Sequence, residues 1–183
     1  MTTIIAVAAV AAAVVFAGLA SLRRLNWFVV PAGAVVVAAI VTGIAAPALL
    51  PHDRWVTTGL AVGFTVIGVL GGSPVVGLVL RFAQGNVELG THGGIVVDAK
   101  GELRPARREI LRGGTTIGYL ERAALIGAVA AGQPAAVAII VAIKGLGRFS
   151  ELDDSAARER FIIGTLTSLV WAGACAAAAV LSA

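Results

Sequence analysis

The stretch Thr3–Leu22, TIIAVAAVAAAVVFAGLASL, carries no charged side chain, and Arg23 and Arg24 follow it directly. About 20 apolar residues at 1.5 Å each match a hydrocarbon core of ~30 Å, so this stretch reads as a membrane-crossing helix. It lacks the basic leader of a secretory signal and has its arginines behind it, which predicts a retained anchor with the N-terminus outside.

Similar blocks follow. One runs from about Trp27 to Leu50, broken near its ends by Pro31 and Pro47, which cannot donate a backbone hydrogen bond mid-helix. Another, from about Trp55 to Phe82, is too long for one upright helix, and Gly71-Gly72-Ser73-Pro74 places a helix-stop pattern before a helix-start pattern inside it. A kink or a break is expected there. The last block is Phe161–Leu181. The whole chain agrees with these blocks. Its 183 residues are 58% hydrophobic and 13% charged, with a mean hydropathy of +0.96, far from the balance of a soluble domain. The expected fold is an all-α integral membrane protein of about six helices in a single polytopic domain, residues 1–183.

Charge then sets topology. A pI of about 10.2 on a soluble surface would suggest nucleic acid, but here the basic residues flank apolar blocks and read as orientation signals, with the lipid bilayer as the partner. The apolar pattern stops between Arg81 and Thr116. Within it, residues 83–114 form a small polar insertion in which Gly93-Gly94-Ile95-Val96-Val97-Asp98 and Ala99-Lys100-Gly101-Glu102 read as a short strand and turn. Arg104, Arg107, Arg108 and Arg112 mark it as cytoplasmic.

Gly114–Phe149 is the ambiguous segment. Arg122 and Lys144 are separated by uncharged residues enough for one span, yet Gly132-Gln133-Pro134 sits at the midpoint like a turn. A hairpin leaves Arg54 as the one basic residue outside and keeps the other thirteen inside, so the charge rule selects it. Each arm has only ten or so uninterrupted apolar residues, which leaves a re-entrant hairpin and two full crossings both open. At membrane depth the turn must be packed by neighbouring helices, and Gln133 is expected to be shielded.

The charges flanking the hairpin are the residues most able to carry function: Glu121 and Arg122 on the first arm, Lys144 and Arg148 on the second. Glu121 and Lys144 lie equally far from the turn and should face one another, while Lys144 and Arg148 share a helix face. Intramembrane ionisable groups suggest a proton or substrate relay. The simpler reading is a structural ion pair at the cytoplasmic boundary with snorkelling basic side chains, and the short arms favour it.

Other features support no chemistry. The carboxylates around Glu151, Asp153 and Asp154 match no ordered ligand loop and read better as the capped start of the last helix, through Asp154 or Ser155. His52 and His92 are isolated, and the glycines near Thr91 lack the lysine and hydroxyl of a phosphate loop. No catalytic, metal or cofactor residue is expected. Trp27 and Trp55 read as interfacial anchors and Trp171 as packing. Cys175 has no partner for a disulfide. Small residues such as Gly59, Gly63, Gly68, Gly72 and Ala172 through Ala174 allow close helix approach.

The stretch Ile117 to Trp171, about a third of the chain, resembles a family of uncharacterised bacterial multi-pass membrane proteins. The matching residues are Ile117-Gly118-Tyr119-Leu120-Glu121-Arg122, Gly132-Gln133, Ala142-Ile143-Lys144, Arg148-Phe149, and Ile163-Gly164-Thr165 with Ser168. That family often begins with a histidine and aspartate motif in its first helix, which this chain lacks. The resemblance implies a multi-pass protein of a bacterial plasma membrane and supplies no activity. The expected function is a non-catalytic accessory or stabilising subunit of a larger membrane transport or envelope complex, partnered by other membrane subunits or by itself. The alternative is a small transporter or channel using the Glu121, Arg122 and Lys144 set.

Overall fold

The computed structural model describes residues 1–23, 25–84, 95–98, 107–110, 114–146 and 155–183. Six helices organise them: α1 (Thr2–Arg23), α2 (Val29–Ala45), α3 (Arg54–Gln84), α4 (Gly114–Ala130), α5 (Ala136–Leu146) and α6 (Ser155–Leu181). Of these, α1, α3, α6 and α2 with its leading 3-10 turn from Asn26 are long and apolar enough to cross a membrane. The chain is an all-α polytopic membrane protein.

Each boundary has a local cause. Pro31 falls in the first turn of α2, where its absent N–H has no carbonyl to seek, and Pro47 opens the 3-10 turn Pro47–Leu49 after the helix ends. Asp53 caps α3: its Oδ1 accepts from the backbone N–H of Trp55 at 2.8 Å and of Val56 at 3.2 Å. The α4–α5 turn closes as a Schellman motif. The Gln133 N–H donates to the Ala128 carbonyl at 2.8 Å and the Gly132 N–H to the Val129 carbonyl at 3.0 Å, with Gly132 at φ 70°.

α3 and α6 form the central pair. α1 packs on α3, α2 bridges α1 and α6, α4 lies in the groove between α3 and α6, and α5 rests chiefly on α4. Small residues set the spacing. Ala13, Ala17 and Ala20 give α1 a flat buried stripe, and Gly68 lies so close to Ile126 and Cys175 that a Cβ there would collide with both. Large apolar side chains point outward instead, among them Ile4, Val15, Val37 and Val170. In water such a surface would be an association liability; in a bilayer it matches its solvent.

The two ends differ. One, the basic end, gathers Arg23, Arg81 and Arg160 at the limits of α1, α3 and α6, and there Trp27 meets Phe82 edge-on at 5.7 Å. Trp55 stands at the other end, 85% exposed. From the polar insertion, two antiparallel strands are described, β1 (Ile95–Asp98) and β2 (Arg107–Ile110), with Ile95 opposite Ile110 and Asp98 opposite Arg107. The first strand falls where the alternation placed it; the second was not anticipated.

Two expectations meet the structure differently. Of the kink or break expected at Gly71-Gly72-Ser73-Pro74, the break is absent: α3 runs on with Pro74 inside it, because an apolar setting offers the backbone no better partner than its own helix. The Gly132-Gln133-Pro134 turn is not packed by neighbouring helices: Ala131 through Ala135 are exposed. Its capping bonds satisfy the Gly132 and Gln133 N–H groups within the turn.

Candidate functional site

α4 is placed by the residues it meets. Gly72 faces the Arg122 side chain, and Gly68 faces Ile126, so α4 climbs one turn as α3 descends one. Extrapolated, Gly114 starts level with the Arg81 end of α3. Arg122 then sits nine residues of α3 away from Arg81, which is about 13 Å into a ~30 Å core. Ser168, which it contacts, is seven residues past Phe161, or about 10 Å by the same measure. Both routes place Arg122 well inside the apolar zone rather than at its boundary.

There Arg122 is 3% exposed and every nitrogen has an acceptor. Nε donates to the Val69 carbonyl at 2.9 Å, Nη1 to Ser168 Oγ at 3.2 Å and Nη2 to Ser73 Oγ at 3.2 Å. The Tyr119 ring lies 5.2 Å below the guanidinium carbon, and the Tyr119 hydroxyl is hydrogen-bonded to Ser21 Oγ on α1 at 2.7 Å. One side chain thus ties α4 to α3 and α6, and its neighbour ties α4 to α1. Trp171 adds a bond from Nε1 to the Ile67 carbonyl at 3.3 Å.

A proline lies one turn on. Pro74 has no N–H for the Leu70 carbonyl and its ring crowds that turn, next to the Val69 carbonyl that accepts from Arg122. Gly72 leaves the room. A Cβ at Gly72 would meet Cδ, Nε and Cζ of Arg122, which are pinned by the bonds above. Gly72→Ala is expected to expel the guanidinium and cost about 2 to 3 kcal/mol, read as a lower unfolding midpoint of the purified protein, whereas Gly59→Ala, facing open space on the same helix, changes stability little.

No family model, curated protein or solved structure matches this chain. What the site does must be read from its own chemistry.

The sequence grouped Glu121, Arg122, Lys144 and Arg148 together. The structure divides them. Glu121 accepts a hydrogen bond from Lys144 in an ion pair that joins α4 to α5, with side chains 13% and 15% exposed respectively. Arg122 turns instead into the bundle, onto neutral partners. Arg148 lies outside the described residues, as do Asp154 and His92. Through their contacts Glu121, Arg122 and Lys144 share the level of Gly72 and Ser168.

Ser73, Ser168 and the Val69 carbonyl were not foreseen as partners. Both serines lie in stretches the sequence singled out: Ser73 in the glycine-proline run, and Ser168 in the last apolar block. Among the described residues, neither serine is bonded to a histidine or carboxylate that could activate it as a nucleophile. Nor do three or more His, Cys, Asp or Glu side chains gather there as metal ligands. The arrangement holds helices together with a fixed charge.

Proposed function

We propose that this chain is a non-catalytic subunit that packs beside and stabilises a larger membrane transport or envelope assembly. The observation that supports this most is Arg122 locked by three hydrogen bonds between α3, α4 and α6. A group that moves ions or substrate must exchange partners, whereas this one is held by neutral acceptors on three helices. The flank outside α4 is available for contact: α5 exposes Ile139 and Ile143, and α6 exposes Leu166 and Val170. Crosslinking in native membranes from photoreactive residues at Ile139 and Ile143 should trap a distinct membrane protein, with no such product from Val37 on the far side. Purification of the chain alone under mild detergent, with identical smears from both faces, would defeat the proposal.

A transporter is the second reading, favoured by ionisable groups at depth beside an intrahelical proline. Ion flux through vesicles holding the purified protein, abolished by Glu121→Gln, would replace the first reading with this one.

The same proposal sets the chain in a bacterial plasma membrane with its basic end, and the polar insertion, cytoplasmic and its N-terminus outside. With Arg54 at the opposite end and Gln133 exposed in the turn, a cysteine at Gln133 should react with an impermeant thiol reagent from outside the cell. Native Cys175 is buried and gives no background. Labelling only after the membrane is opened would reverse the orientation.

A further inference from the structure

α1 and α2 pack tightly at the basic end and part toward the other. α1 buries Ala13, Ala17 and Ala20 but exposes Ile4, Ile5 and Val7; α2 buries Val29, Ala32 and Val36 but exposes Val37, Val41 and Ile44. Between the parted halves lies a cavity of about 320 Å³, with Val10 and Phe64 buried in its floor, Ala39 in its wall and Leu50 at its outer end. Ile5 lines it and is 60% exposed, so it opens sideways between the two helices. Its polar lining is confined to Thr2, Thr42 and Ser182 at the ends of α1, α2 and α6, and of these Ser182 is buried with its hydroxyl donated to the Ala178 carbonyl at 2.7 Å. Leu49, Leu50 and Pro51 line the same end, so the cavity is apolar throughout apart from the Thr2 and Thr42 hydroxyls at its outer end.

Size and polarity select the occupant. Ordered water needs two to four polar partners, which the floor does not offer. A partner helix about 10 Å across would have to part α1 and α2, which pack on one another, whereas an alkyl chain can enter between them. Left empty, the floor would forfeit dispersion contacts while alkyl chains surround it. We propose that the cavity binds one acyl chain of a membrane lipid, its headgroup beyond the Thr2 and Thr42 end and its chain running toward Val10 and Phe64.

The test uses full-length protein in dioleoylphosphatidylcholine vesicles containing a trace of a phosphatidylcholine with a diazirine on one chain. After photolysis, label should concentrate several-fold on Ala38 to Thr42 and around Leu60 relative to Leu166 and Val170 on the outer face of α6. Ala39→Phe, which fills the wall, should remove that excess, and Ala12→Phe, on exposed α1 surface outside the cavity, should keep it. Ala9→Leu fills the cavity from α1 with a smaller change and gives the same reading if Ala39→Phe fails to assemble. Label spread evenly over both faces, or an excess that survives the filling variants, overturns the proposal.

Discussion

Removing the two hydroxyls around Arg122 is expected to destabilise the bundle more than removing Arg122 itself. Ser73→Ala with Ser168→Ala leaves the guanidinium buried with two of its three acceptors gone. Hydrogen bonds to charged groups are worth about 1.5 to 3 kcal/mol each, and polar contacts in membranes fall toward the low end, so the pair should cost about 3 kcal/mol. Arg122→Met removes the charge along with its bonds. The methionine fills much of the same volume, and each serine can turn to a carbonyl of its own helix one turn back. Because replacing a buried charge by a well-packed apolar side chain is often neutral, this variant should lie within about 1 kcal/mol of the parent. The triple variant should then regain most of what the serine pair lost. Denaturant titration of the four proteins in one detergent gives the order. If Arg122→Met proves the least stable, or the triple variant is no better than the serine pair, Arg122 is a net source of stability and the ranking fails.

This ordering depends on geometry that the sequence showed only in part. The four long spans were legible because a bilayer crossing needs some 20 apolar residues, a constraint that few other structures impose. The hairpin was legible from Gly132-Gln133-Pro134, since a left-handed glycine followed by proline closes a helix in any solvent. The continuity of α3 was not. Gly71-Gly72-Ser73-Pro74 carries the local signals of a stop, and only tertiary context overrides them: a donor from Arg122, and surroundings that reward an intact helix.

The division of the charges was accessible in principle. Adjacent residues on a helix point about 100° apart, so Glu121 and Arg122 could never both have faced α5. Which of them turned inward was hidden, because the deciding features, Gly72 on α3 and Ser168 on α6, are distant in sequence. Depth was hidden for the same reason. Counting residues from the turn placed Glu121 and Lys144 opposite one another correctly, but said nothing about how far α4 had already climbed beside α3.

That depth gives the Glu121–Lys144 pair its expected behaviour. Glu121→Gln leaves the Lys144 ammonium, only 15% exposed, without its counter-charge. Breaking one partner of a buried pair costs about 3 to 5 kcal/mol, whereas exchanging both for apolar side chains is often neutral. Glu121→Gln should therefore lose about 3 kcal/mol, and Glu121→Gln with Lys144→Met should recover most of it. Snorkelling is the competing outcome. Lys144 lies two residues before the end of α5, and its four-carbon stem reaches about one helical turn. If the ammonium sits about 13 Å inside the apolar zone, as the level of Gly72 places it, that reach falls short of the basic surface and the single variant stays destabilised at any ionic strength. If the ammonium does reach water, Glu121→Gln will cost little and the loss will shrink further as salt screens what remains. Equal losses from the single and double variants would show that the two side chains are not energetically coupled, and that α5 is held against α4 by its apolar face alone.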